Sequence, residues 1–246
     1  MSRVNLVCLP FAGGTAAGFR RWQRGLGDDV AVHPIDYPGR ASRGAEPVVT
    51  DARRVVEDVA QRVSAVGAPN TVLFGHSMGA WVAYEATILL EASGQRPAGL
   101  IVSAAPAPAH HGDRELAGPL SDDQLRAKCL QWGGTPAELL DDPAFREQFF
   151  PHLRADLATI DDYTPNTDAM IDAPMLALAG RSDTTAPSRE VAGWAAHARD
   201  WHGNHIVPGG HFFTTTAETL VLRILGQHCR TALRTVNSAT SGVPNQ

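Results

Sequence analysis

Lysine is almost missing from this 246-residue chain: 21 residues are basic, and Lys128 alone is lysine, the rest arginine. Cysteine is sparse too. Cys8, Cys129 and Cys229 are odd in number and far apart, which excludes a disulfide framework and a clustered zinc site and suits a reducing cytoplasm. No apolar run approaches the ~20 residues a membrane-crossing helix needs, and Val4–Leu9 is too short before Pro10 to serve as a signal peptide. Positive charge is not in excess. A net charge of −5 excludes a nucleic-acid binder that works through a broad basic face. Neither a nucleic-acid nor a membrane partner is therefore expected, and the expected location is cytoplasmic. What remains is an ordinary folded composition, 43% hydrophobic and 19% charged, long enough to bury a core without disulfides or metals. The length fits one large domain spanning 1–246, with room for an inserted cap.

Short apolar runs alternate with helical stretches, which predicts an α/β fold with a mostly parallel sheet flanked by helices. The runs predicted as strands are Val4–Leu9, Val30–Ile35, Thr71–Phe74, Leu100–Ser103, Met175–Ala179 and Asp200–Val207. Helices are predicted over Gly18–Leu26, Asp51–Val66, Met78–Ala92, Pro187–Ala198 and Thr214–Leu233. In the second of these, Val55, Val56, Val59, Val63 and Val66 recur at helical spacing between Arg53, Glu57, Asp58 and Arg62. Residues 112–165 break the alternation. They contain no convincing strand, but Ser121 and Gln124 form a capping-box pattern and Pro136 and Pro143 suit first helical turns. A helical lid over the sheet is expected there, opening locally on the microsecond–millisecond scale. Its apolar residues Leu125, Leu130, Trp132, Leu139, Phe145, Phe149 and Phe150 would roof a site or form the lid's own small core. The polar tail, 235–246, is expected to fray.

The strongest chemical signal is Gly75-His76-Ser77-Met78-Gly79, between a strand and an apolar helix. Chance alone gives a G-x-S-x-G pattern in roughly one such chain in ten, so the strand–turn–helix context decides. A serine at such a turn is a nucleophile elbow, with small residues on either side because larger ones would clash. A serine hydroxyl also needs an oriented base. Among ten histidines, His211 stands in Pro208-Gly209-Gly210-His211, after the last strand, where open parallel sheets place their sites. His76 would point away from the reacting atoms and pack. Asp183 follows the strand Met175–Ala179 through Gly180-Arg181-Ser182 and is the expected acid, although a turn aspartate can simply cap its own backbone. The preceding strand is followed by Ala104-Ala105-Pro106-Ala107-Pro108, with no carboxylate. After the first strand, Leu9-Pro10-Phe11-Ala12-Gly13-Gly14 lets backbone approach a ligand. The N–H groups of Ala12 and Met78 are the expected oxyanion donors, with Phe11 the alternative to Ala12. A dinucleotide fold would need a second glycine where Thr15 stands, and is set aside. No cofactor and no metal are implied.

Taken together, Leu9–Gly14, Tyr37-Pro38-Gly39-Arg40, Gly75–Gly79 with Ala80, Phe149–Tyr163, Asp183 and Gly210-His211-Phe212 resemble the type II thioesterases. These are stand-alone α/β-hydrolases that accompany polyketide synthases and nonribosomal peptide synthetases. The likeness runs from about Val4 to Leu233, and the order Ser77, Asp183, His211 is that of the α/β-hydrolase fold. The turn Arg181-Ser182-Asp183-Thr184-Thr185 is less acidic than is usual in the family. The resemblance implies hydrolysis of acyl groups from the phosphopantetheine arm of acyl or peptidyl carrier proteins, clearing stalled or aberrant units. Because both partners would be acidic, docking is expected to use local arginines rather than net attraction. The same three residues would equally serve an esterase or lipase on small oxygen esters, or an acyltransferase or cyclase. Without chemistry, the chain would merely bind carrier protein.

Overall fold

The computed structural model describes residues 3–113 and 118–241. Six strands, β1 (Val4–Leu9), β2 (Val30–Pro34), β3 (Thr71–His76), β4 (Gly99–Ser103), β5 (Met175–Gly180) and β6 (Trp201–Val207), form one sheet in the order β2-β1-β3-β4-β5-β6. Every neighbouring pair is parallel, as expected. Ten α-helices are described. They are α1 (Ala17–Arg20), α2 (Gln23–Leu26), α3 (Ala52–Val66), α4 (Met78–Ala92), α5 (Asp122–Trp132), α6 (Ala137–Asp141), α7 (Pro143–Asp162), α8 (Ser188–Val191), α9 (Phe213–Thr216) and α10 (Glu218–Ser241).

The four inner strands, β1, β3, β4 and β5, are almost wholly buried because both faces of the sheet are covered there. Successive side chains feed opposite cores: Val7, Leu9, Leu73, Leu100 and Val102 join α3, α4 and α7. Leu6, Cys8, Val72, Phe74 and Ile101 join the α1–α2 segment and α10 on the other side. Helix α3 begins where Asp51 accepts the Arg54 N–H at 3.0 Å and ends at Gly67 with φ +103°. Those are a side-chain N-cap and a left-handed C-cap.

Three helices differ from expectation. The segment 17–26 is two four-residue helices joined by i→i+3 turns, such as Trp22 N–H to Phe19 C=O at 2.9 Å. That tighter winding aligns residues three apart and lays Phe19 and Trp22 together on Phe74. The stretch Pro187–Ala198 is α8 followed by a 3₁₀ helix, Ala192–His197. The last helix continues to Ser241, so residues 235–241 are helical rather than frayed, whereas 242–246 lie outside the described residues. Within 112–165, α5 carries the expected capping box of Ser121 with Gln124, Pro136 caps α6 and Pro143 opens α7. Residues 114–117 of that segment lie outside the described residues. Among the described residues, no helix is long and apolar enough to cross a membrane.

His228 of α10 is buried. Burial first, and then neighbouring His202, push its pKa from 6.5 down to about 4. The folded state therefore resists a proton that the unfolded chain accepts. Stability is whole above pH 6.5 and falls as pH drops towards 4, by at most about 1.4 kcal/mol per unit from this group. In urea titrations across that window, His228→Gln should lose stability less steeply than the parent protein; equal slopes would show that His228 does not carry the dependence.

Candidate active site

The catalytic candidates all stand beyond the carboxyl ends of the strands. Ser77 occupies the turn between β3 and α4 with φ +56° and ψ −122°, a conformation that costs a residue with a side chain about 1–3 kcal/mol. Crowding enforces it. A Cβ on Gly75 would run into the Gly79 carbonyl, and one on Gly79 into the Leu9 carbonyl. The Ser77 N–H donates to the Ser103 carbonyl at 2.7 Å, which pins the elbow to β4. These contacts explain why both flanking positions are glycine.

His211 is brought to Ser77 by the pairing of β5 with β6. Beyond the last ladder bond, Arg181 N–H donates to Val207 C=O at 2.8 Å and Ser182 N–H to Gly209 C=O at 2.9 Å. This stitching joins two loops 28 residues apart, and places His211 Nδ1 2.9 Å from Asp183 Oδ2. His211 Nε2 lies 3.0 Å from Ser77 Oγ. Asp183 uses its two oxygens differently. Its Oδ1 accepts the N–H groups of Thr185 and Ala186 at 2.9 and 3.0 Å, while Oδ2 faces the imidazole. Backbone amides thus supply the support that neighbouring acidic residues do not. The Asp183 side chain is fully buried.

The loop after β1 runs beside the elbow. Its Gly14 N–H closes a turn on Phe11 C=O at 2.8 Å, while the Ala12 N–H has no acceptor among the described residues. Met78 is the first residue of α4, so its N–H has no partner within the helix. His76 is not a competing base. It is fully buried and its Nδ1 meets Ser103 Oγ at 2.9 Å. Burial, and then His211 nearby, hold its pKa well below the usual histidine range, so it is neutral at pH 7.

Ser77 and His211 open onto a cavity of about 400 Å³ that Phe11, Ala12 and Trp81 also line. From residues 112–165 it takes Lys128, Trp132, Leu157 and Ile160. Of the seven apolar residues singled out in that segment, only Trp132 lines the cavity. Leu125 and Phe150 belong to the main core, Phe145 and Phe149 pack against it, and Leu130 and Leu139 are exposed. Sequence periodicity identified the helices but not which face meets the cavity. Among the described residues, no group of three or more His, Cys, Asp or Glu side chains is placed to hold a metal ion.

Residues 4–229 match the model of the thioesterase domain family. The chain belongs to the thioesterase family. The thioesterase PikA5 of Streptomyces venezuelae is 38% identical over 218 residues, 86% of this chain and 76% of that protein. The solved thioesterase RedJ, from the prodiginine pathway of Streptomyces coelicolor, superposes with a TM-score of 0.85 at 34% identity, over 92% of this chain and 91% of its own. YbtT, a type II thioesterase of the yersiniabactin NRPS/PKS pathway, gives 0.84 at 30% identity, over 94% of both chains. The fold is that of the α/β-hydrolase thioesterases, and the protein is a thioester hydrolase of type II kind.

The elbow leaves no room for a side chain at Gly75. Gly75→Ala should cost this thioesterase about 3 kcal/mol or more, because the obstacle is backbone rather than a movable side chain. Thermal melts check it, and an unchanged melting midpoint would mean that the turn between β3 and α4 can open.

Proposed function

We propose that the thioesterase strips acyl groups from the phosphopantetheine arm of acyl or peptidyl carrier proteins, clearing stalled or aberrant units in polyketide or nonribosomal peptide synthesis. The observation that carries this is the unbroken chain Asp183–His211–Ser77, at 2.9 and 3.0 Å, opening onto a largely apolar cavity. The pathways named for RedJ and YbtT support the substrate class. The three free, buried thiols suit work in the cytoplasm.

In this reading His211 Nε2 takes the Ser77 proton as Oγ attacks the thioester carbonyl. The N–H groups of Met78 and Ala12 stabilise the tetrahedral oxyanion. Asp183 Oδ2 orients the imidazole and stabilises its protonated form. The intermediate collapses, the C–S bond breaks and His211 returns its proton to the departing pantetheine sulfur, whose thiol pKa of ~8.5 makes it a good leaving group. Water activated by His211 then releases the free acid, and Ser77 regains its proton. No step requires a cofactor. The described part of residues 112–165 acts as the lid, with Trp132, Leu157 and Ile160 shaping the acyl passage.

Comparing kcat/KM for acyl-carrier thioesters with that for matched oxygen esters tests the substrate class, and a strong oxygen-ester preference overturns it. Mass spectrometry of the products separates hydrolysis from acyl transfer. Ser77→Ala should remove activity by several orders of magnitude while leaving the fold intact; activity within tenfold of the parent rules out the nucleophile. Asp183→Asn should retain more activity than His211→Ala. Two amides face Oδ1, so the asparagine oxygen must take that side and its NH₂ must face His211. The imidazole is then driven to the tautomer that cannot accept the Ser77 proton. Enlarging Leu157 or Ile160 should shift acyl preference by about 1–3 kcal/mol per methylene-sized change, read from kcat/KM across a chain-length series. Unchanged preference for every such variant would remove the lid from substrate selection.

A further inference from the structure

The carboxylate of Asp156 lies on α7, and its partners are Gly13 in the loop after β1 and Arg40 in the segment after β2. Its Oδ2 accepts the Gly13 N–H at 2.6 Å. Both carboxylate oxygens also accept from the Arg40 guanidinium in a forked pair, and each residue is only 2% exposed. The loop is held elsewhere as well. Tyr37 Oη donates to Pro10 C=O at 3.1 Å, and Ala16 N–H donates to Asp36 Oδ1 at 2.7 Å. Helix α7 packs directly on the turn: a Cβ on Gly13 would stand 2.7 Å from the Phe149 ring and 3.4 Å from Leu153. Between these fixed points the Ala12 N–H is left without an acceptor, and Ala12 lines the cavity with Ser77 and His211.

We propose that Asp156 is a positioning residue for the oxyanion-binding loop, holding Gly13 so that the Ala12 N–H faces the carbonyl attacked by Ser77. This rests on the acyl-enzyme reading above and adds to it a second task for α7. The helix that contributes Leu157 and Ile160 to the cavity also sets the geometry of the hydrolytic step. Burial raises the Asp156 pKa above the ordinary carboxylate value, and the Arg40 guanidinium and the Gly13 amide pull against that rise. A neutral side chain there would let the loop relax. The pair sits where a positional error of ~1 Å can cost about a hundredfold in rate.

Asp156→Asn keeps the shape and removes the charge. On a small acyl-pantetheine thioester its kcat should fall about ten- to a hundredfold, with KM within about twofold of the parent, the signature of an interaction made mainly in the transition state. Affinity for a trifluoromethyl ketone, which forms a tetrahedral adduct with the serine, should fall in step with kcat/KM. Affinity for the free-acid product should not change. If Asp156→Asn is too unstable to assay, Arg40→Met with Asp156→Leu removes both charges together, an exchange that buried ion pairs often tolerate. The same loss confined to kcat is then expected. A folded variant with the parent's kcat overturns the proposal, and so does a loss confined to KM, which would make α7 a wall of the cavity and nothing more. Ser77→Ala keeps the two readings apart: if it is inactive while Asp156→Asn is as fast as the parent, only the positioning role fails.

Discussion

The site depends on one close approach, where the first turn of α4 crosses the ends of β1 and β3. At that crossing Gly75 faces the Gly79 backbone, and Gly79 faces the carbonyls of Leu9 and Pro10. With no side chain between them, the elbow and the loop after β1 come together. Ala12, in that loop, and Ser77 then line one cavity. The strained φ of Ser77 is the local cost, met by the backbone bond to Ser103 and by a helix whose first seven residues are all buried.

The other half of the site is built by sheet pairing. β5 and β6 are adjacent and parallel, so the loops that follow them emerge side by side. Backbone bonds from Arg181 and Ser182 keep them paired beyond the strands. Asp183 is then fixed by two amides of its own turn, and His211 by Asp183. Each level constrains the next: register sets the loops, the loops set the carboxylate, and the carboxylate sets the imidazole. The neutral, buried His76 beside His211 adds bulk without a competing charge.

Much of this could be read from the residues. Short apolar runs alternating with helical stretches announced a parallel sheet, and strand ends pointed to Ser77, Asp183 and His211 because each follows a strand by only a few residues. Features that depend on distant partners could not be read. Asp156 stood as one more polar position on an amphipathic helix, and its partner Arg40 is 116 residues away. The Pro38-Gly39-Arg40 turn was visible as a motif, yet no periodicity says what an arginine pairs with. Two helix boundaries were misjudged for a local reason. A 3₁₀ turn and an α-helix share similar apolar spacing over one turn, so the segments 17–26 and 187–198 looked continuous.

Why a charged pair should hold the loop follows from what a buried amide requires. The Gly13 N–H points to the buried Asp156 carboxylate, and a buried donor left unpaired costs about 1–3 kcal/mol. A carboxylate is the shortest and strongest acceptor that a helix can present, but burying it alone is expensive. Arg40 balances that charge and fixes the carboxylate plane through its fork, which a single donor cannot do. The net stability of such a pair is small, since desolvation offsets most of the attraction. Its return is orientation. A loop set by an apolar contact could slide by fractions of an ångström at little cost, whereas one bound to a forked ion pair moves only by breaking it, and an amide that stabilises a developing oxyanion needs that restraint.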